Sequence, residues 1–179
     1  MLDKKYFDLV RQELLGYSAK RRGIIKEAGD AQHLAKKAIF ALQRDDSTEA
    51  QKLLDQAEKI FLDLYEKNKK DIGIFEEGSY KAGLEEFVEA SIFNQYLQKK
   101  TIGKLNKVKV EPDIFISGLC DVPGELLRYA IKSATEKKFA FLVVDHSQTL
   151  PSNLNHNGVD EIPLLRVNRD WELSSKYFI

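Results

Sequence analysis

From Lys4 to about Lys138 the apolar residues return every three or four positions, the period of one buried helix face, so the chain reads as a succession of long helices. The first runs to Gln43 through Phe7, Val10, Leu14, Ile24, Ile25, Ala28, Leu34, Ala38, Ile39 and Leu42. It is one long helix or two in tandem, with Gly16 or Gly23 as the interruption. Asp45-Asp46-Ser47 supplies a turn and an N-cap. A second helix then carries Leu53, Leu54, Ala57, Ile60, Phe61 and Leu64, and it closes between Asn68 and Gly78. A third is expected to start near Ser79, capped by its hydroxyl, and to present Leu84, Phe87, Val88, Ile92, Phe93, Tyr96 and Leu97 before ending around Lys99 to Gly103. Glu111-Pro112-Asp113 opens a fourth, because proline fits a first helical turn and an acid suits the positive end of the helix dipole. Pro123 falls inside that helix, where it removes the bond to the Leu119 carbonyl and predicts a kink.

Beyond Lys138 the period is lost. Phe139 to Val144 reads as a strand or a buried apolar run, and Pro151, Asn153, Asn155, Asn157, Gly158 and Pro163 favour loops. The expected organisation is a helical region over 1–138 and an irregular or strand-like tail over 139–179. The total of 179 residues, 43% of them hydrophobic, suffices for one domain with a substantial core. A single cysteine, Cys120, excludes an intrachain disulfide, and as part of an apolar helix it is expected to be buried. No apolar run approaches the roughly 18 residues of a membrane span. The N-terminus lacks a signal peptide's apolar centre, which points to a cytoplasmic protein without membrane association.

Two acidic pairs stand among the core-facing positions. Glu86 and Glu89 are three apart, and Asp121 and Glu125 four apart, so each pair projects from one face of its helix. Phe87, Val88, Leu119 and Leu126 flank them, leaving little room for a purely solvated face. Acids among apolar positions are costly to bury uncompensated and invite a cation. Four carboxylate groups form a hard oxygen set suited to Mg²⁺, with Mn²⁺ as the alternative ion, and to phosphoryl chemistry. The competing reading of such spacing is two ordinary solvated helix faces.

Net charge is zero, but ten Lys/Arg face five Asp/Glu in residues 1–44, six face thirteen in 45–98, and nine face five in 99–138. Basic walls beside an acidic middle suit a phosphate-backbone substrate. The same blocks also describe three solvated helix faces. His33 stands alone, without a second histidine at metal spacing.

The flanking residues narrow the choice. Leu84-Glu85-Glu86-Phe87-Val88-Glu89-Ala90 resembles the Glu-aromatic-Val-Glu-Ala segment of the translin-associated factor X branch of the translin family. Ser117-Gly118-Leu119-Cys120-Asp121-Val122-Pro123-Gly124-Glu125-Leu126-Leu127-Arg128 resembles that branch's Gly-Val-x-Asp-x-x-Gly-Glu-Leu-x-Arg segment. Lys36-Lys37-Ala38-Ile39-Phe40-Ala41-Leu42-Gln43-Arg44 is similar to its Lys-Arg-x-Ile-Phe-x-Leu-His-Arg run. The resemblance, to an archaeal-type member, spans roughly residues 20 to 135; nothing from Phe139 onward matches the family's last helices, which implies a divergent or truncated C-terminal part.

The resemblance implies an all-α antiparallel bundle and barrel-like assembly, as a homo-oligomer or with a translin-like subunit. It implies a Mg²⁺-dependent endoribonuclease acting on single-stranded RNA, with DNA as a further partner. By resemblance, Glu86, Glu89, Asp121 and Glu125 carry the metal and the catalysis, and Arg21, Arg22, Lys26, Lys36, Lys37 and Arg44 face the nucleic acid. Two other functions fit the residues. One is a non-catalytic RNA- or DNA-binding scaffold. The other is a helical pyrophosphohydrolase of the MazG kind, which shares the Glu-Glu-x-x-Glu half; its second motif reads Glu-x-x-Asp, against Asp-x-x-x-Glu here.

Overall fold

The computed structural model describes residues 3–69, 73, 75–98, 102, 103, 105 and 107–136. The expectation for 139–179 lies outside these. The chain divides into two compact units, Met1–Glu125 and Leu126–Ile179. Among the described residues the regular structure is helical: α1 (Lys4–Gln43), α2 (Ser47–Asn68), α3 (Gly78–Leu97) and α4 (Pro112–Thr135). None of these helices is long and apolar enough to cross a membrane.

Helix α1 is a single helix; neither Gly16 nor Gly23 interrupts it. Asp3 caps its start, accepting from the backbone N–H groups of Lys5 and Tyr6. At the other end Asp45 takes φ 64°, a conformation that Asp tolerates better than most residues. The Asp46 N–H then donates to the Ala41 carbonyl and the Asp45 N–H to that of Leu42, both at 3.0 Å, closing a Schellman turn. The Asp46 side chain also caps α2, accepting from the Glu49 N–H at 3.0 Å. So short a turn makes α1 and α2 antiparallel neighbours.

The core stripe of α1 is small: Ile24, Ala28, Ala31, Ala35, Ala38, Ile39, Ala41 and Leu42 are buried, five of them alanines with no exposure. Against it pack Leu54, Ala57, Phe61 and Leu64 of α2 and much of α3, whose residues from Tyr80 to Asn94 are buried on several faces. Gly83 lets α3 approach, since a Cβ there would lie 3.0 Å from the Ala28 carbonyl oxygen. Phe61 ties α2 to α3 through Tyr80 and Phe87, with ring centroids 5.8 and 5.6 Å apart.

The expected core positions Phe7, Val10 and Leu14 are exposed, with Tyr6, Leu9, Leu15 and Tyr17, and Ile25 is partly so. Length explains this. At 1.5 Å per residue α1 spans about 60 Å, while α2 and α3 span about 30 Å each and cover only its second half. Ser79 also departs from expectation. Helix α3 starts one residue earlier, at Gly78, with Glu77 as an N-cap that makes no side-chain cap bond. The Ser79 hydroxyl thus falls inside the first turn, buried and without a hydrogen-bond partner among the described residues.

After α3 the chain returns along α2, where Lys107 pairs with Glu58 at 2.7 Å and Val108 is buried. Helix α4 starts near the beginning of α3, with the Glu111 charge felt by Tyr80. The two helices meet at Gly118, where a Cβ would stand 2.6 Å from the Glu85 carbonyl oxygen and 2.8 Å from Val88 Cβ. The helix runs on through Pro123 and ends at Thr135, a turn short of the expected Lys138.

Replacing Gly118 with alanine should destabilise the protein by about 1–3 kcal/mol, because a backbone carbonyl cannot yield. Gly29→Ala, where nothing lies within 4 Å, should instead stabilise by up to about 1 kcal/mol through helix propensity. Urea denaturation of both variants tests the opposite signs, and a stabilised Gly118→Ala protein would contradict this packing.

Candidate functional site

Helix α4 turns Ile114, Gly118, Val122 and Glu125 inward, a stripe at spacings of four, four and three. Glu125 thus occupies a core position and is only 7% exposed. A carboxylate so buried needs donors. The Gln43 side-chain amide, from the last turn of α1, donates to both the Glu125 backbone carbonyl and its Oε2, each at 2.9 Å. Asp121, one turn earlier, is exposed.

Glu86 and Glu89 lie one turn apart on α3, both half-buried, with the intervening Phe87 and Val88 in the core. Lys36 of α1 approaches Glu86 Oε2 at 3.5 Å, and the Glu86 side chain is 17% exposed. Burial pushes the Glu86 carboxyl above the ordinary glutamate range; the Lys36 charge and hydrogen bonds from Lys36 and Gln32 pull it back, and the Asp121 charge raises it further. Asp121 is therefore close enough to Glu86 for two like charges to oppose each other. That repulsion is the electrostatic cost a divalent cation offsets, and the all-oxygen donor set suits a hard ion.

The side chains as they stand are engaged with α1. Among the described residues no three of His, Cys, Asp and Glu gather at metal-holding distance. Lys36 provides positive charge at Glu86, and Gln43 holds Glu125. Glu86 of α3 and Glu125 of α4 thus border one face of α1, formed by Gln32, Lys36 and Gln43 at spacings of four and seven.

The expected nucleic-acid residues Arg21, Arg22, Lys26, Lys36, Lys37 and Arg44 are all exposed on α1 or at its C-cap. Two have internal partners: Arg21 meets Glu77 at 2.6 Å, and Lys36 meets Glu86. Cys120 is exposed, contrary to expectation, because it lies off the inward stripe of α4. His33 is exposed as well. Gln32 and Gln43 were not legible as site residues, since polar groups on a long amphipathic helix normally face water. A separate groove of about 260 Å³ lies between α2, α3 and the returning connection, lined by Gln51, Asp55, Glu58, Asn94 and Lys107 among others. It lacks the paired acids, and its Glu58 is already bound to Lys107.

The family model described as Translin family matches residues 19–176, which extends the family pattern over most of the tail where no match was expected. No curated protein matches the chain. Among solved structures, apo-NeC3PO superposes with a TM-score of 0.68 at 22% identity, covering 79% of this chain and 74% of its own. AfC3PO gives 0.65 at 22% identity, covering 76% and 70%. The AfC3PO–duplex RNA complex gives 0.64 at 17% identity, covering 97% and 81%. At these identities the likeness establishes the fold.

Two variants test the geometry. Gln43→Leu should cost about 1–3 kcal/mol by stripping a donor from a buried carboxylate, as read by urea denaturation. Unchanged stability would show that the amide is not what Glu125 relies on. For Glu86 the raised folded-state pKa gives a definite sign: its contribution is fully present below the unfolded-state pKa and is lost as pH rises through the folded-state value. Relative to Glu86→Gln, the natural chain should therefore lose stability as pH rises just above the ordinary glutamate range. Parallel stability curves for the two proteins would refute the assignment.

Proposed function

The chain belongs to the translin family, and on that premise we propose that it is a Mg²⁺-dependent endoribonuclease of the translin-associated factor X branch, cleaving single-stranded RNA. The observation that carries the reading is the contact at Gly118, which packs the helix bearing Asp121 and Glu125 against the helix bearing Glu86 and Glu89, with Glu125 buried beside α1. Glu86, Glu89, Asp121 and Glu125 would hold the ion, Mn²⁺ being the alternative. When bound, it would polarise the scissile phosphate and make a bound water more acidic.

The protein's own groups account for the rest. A carboxylate of the set left unligated by the ion would accept the proton of the attacking water. Lys36 is placed to exchange its carboxylate partner for a phosphate oxygen as a strand enters. Gln43 keeps the buried Glu125 fixed. The exposed Arg22, Lys26, Lys37 and Arg44 lead the backbone along α1 toward the acids.

A structurally similar protein is captured with duplex RNA, which supports RNA as the partner class, with DNA as a further candidate. Assembly as a homo-oligomer, or with a translin-like subunit, belongs to the same reading. One observation favours a second reading, a non-catalytic RNA-binding subunit: Glu86 and Glu125 are engaged by α1 side chains, and the acids do not converge in threes among the described residues.

Labelled single-stranded RNA incubated with the purified protein, with and without Mg²⁺, separates the two. Glu89→Ala and Asp121→Ala should each lower cleavage by more than about a hundredfold and leave RNA affinity nearly unchanged. RNA bound but never cut, in any divalent ion, would favour the scaffold. Hydrolysis of nucleoside triphosphates without RNA cleavage would favour a pyrophosphohydrolase.

A further inference from the structure

Phe40 is a large aromatic residue that the core does not use. It is 58% exposed, whereas its chain neighbours Ile39, Ala41 and Leu42 are buried. Between Lys26 and the end of α1 it is the large apolar side chain left in solvent among the described residues. A lone exposed phenylalanine is unremarkable by itself. Its surroundings are not.

On a helix the side chains three and four positions away are the lateral neighbours. For Phe40 these are Lys36, Lys37, Gln43 and Arg44. Three are cations, all exposed at the residue level. The remaining one and Lys36 both touch the acids: Gln43 holds Glu125 at 2.9 Å, and Lys36 meets Glu86 at 3.5 Å. The ring therefore lies about one helical turn from contacts to both acidic helices, inside a basic frame. Cations that track a phosphate backbone, with an aromatic face between them, are the components from which sequence-tolerant single-strand binding is built.

We propose that Phe40 is a stacking platform that receives one unpaired base of an RNA strand, while Lys36, Lys37 and Arg44 take the phosphates on either side. The proposal rests on the RNA-cleaving reading for its substrate class but not on cleavage itself. A stacked base beside the acids fixes which phosphodiester is presented to them, so Phe40 sets strand register and favours unpaired over fully paired RNA. It does so without hydrogen bonds to base edges and therefore without strong sequence preference. The charge pattern favours a polyanion over a second protein chain as the occupant of this face.

Binding is measured with full-length protein in EDTA, so that no strand is cut, using a labelled single-stranded oligonucleotide and a matched strand carrying abasic sites. Phe40→Ala should weaken binding to the normal strand about tenfold or more. Phe40→Trp should restore it. On the abasic strand Phe40→Ala should cost little, because the platform has nothing to stack. The salt dependence of affinity should be unchanged in Phe40→Ala but shallower in Lys37→Ala, since only the lysine neutralises a phosphate.

Equal losses on normal and abasic strands, or no loss on either, would overturn the proposal. So would an altered oligomeric state of Phe40→Ala with unaltered RNA affinity, which would assign this face to a second protein chain. Natural protein that binds RNA in EDTA but never cleaves it with Mg²⁺ would remove the catalytic reading and leave the platform standing. Failure of the natural protein to bind single strands would remove both.

Discussion

The site depends on how closely α4 can approach α3, and Gly118 sets that distance. With a Glu85 carbonyl oxygen 2.6 Å from where a Cβ would stand, no larger residue fits without moving backbone. The contact lies one turn before Asp121 and two before Glu125. It therefore fixes, through short and stiff stretches of helix, where the α4 acids come to rest against Glu86 on one side and Gln43 on the other. Gly83 plays the matching part between α3 and α1. The helices are held by small residues rather than by large interdigitating ones, a packing that tolerates little added volume.

Helix α1 is the reference against which the acids are arranged. Its alanine stripe binds α2 and α3, while a neighbouring face made of Gln32, Lys36 and Gln43 supplies a charge and amide donors to acids from two other helices. Each donor meets a different need. Glu125, deep and almost solvent-free, has the neutral Gln43 amide, and the better hydrated Glu86 has an ammonium group. Two carboxylates can thus sit against a close-packed core, each with a donor from α1.

Much of this was legible in the sequence because its signals are local. The caps at Asp46 and Pro112 depend on a few adjacent residues, and helix limits followed from them closely. The failures have the opposite origin. Phe7, Val10 and Leu14 show the helical period as clearly as Ile24 does, but periodicity does not reveal whether a partner helix is long enough to cover them. The four acids stood out through spacing and flanking motif. Gln43 did not, because its partner is 82 residues away and a glutamine near a helix end reads as solvated. Phe40 was visible only as part of a motif, and its exposure depends on which side of α1 the other helices occupy.

The order of these contributions along the chain has a temporal meaning. Most of the buried core residues lie on α1, α2 and α3, before Leu97, whereas Asp121 and Glu125 come later. During synthesis from the N-terminus, a chain can bury most of its apolar surface while holding only half of its carboxylates. Most of the packed positions thus leave the ribosome ahead of Asp121 and Glu125, and a chain that stops before α4 would carry Glu86 and Glu89 without their α4 counterparts.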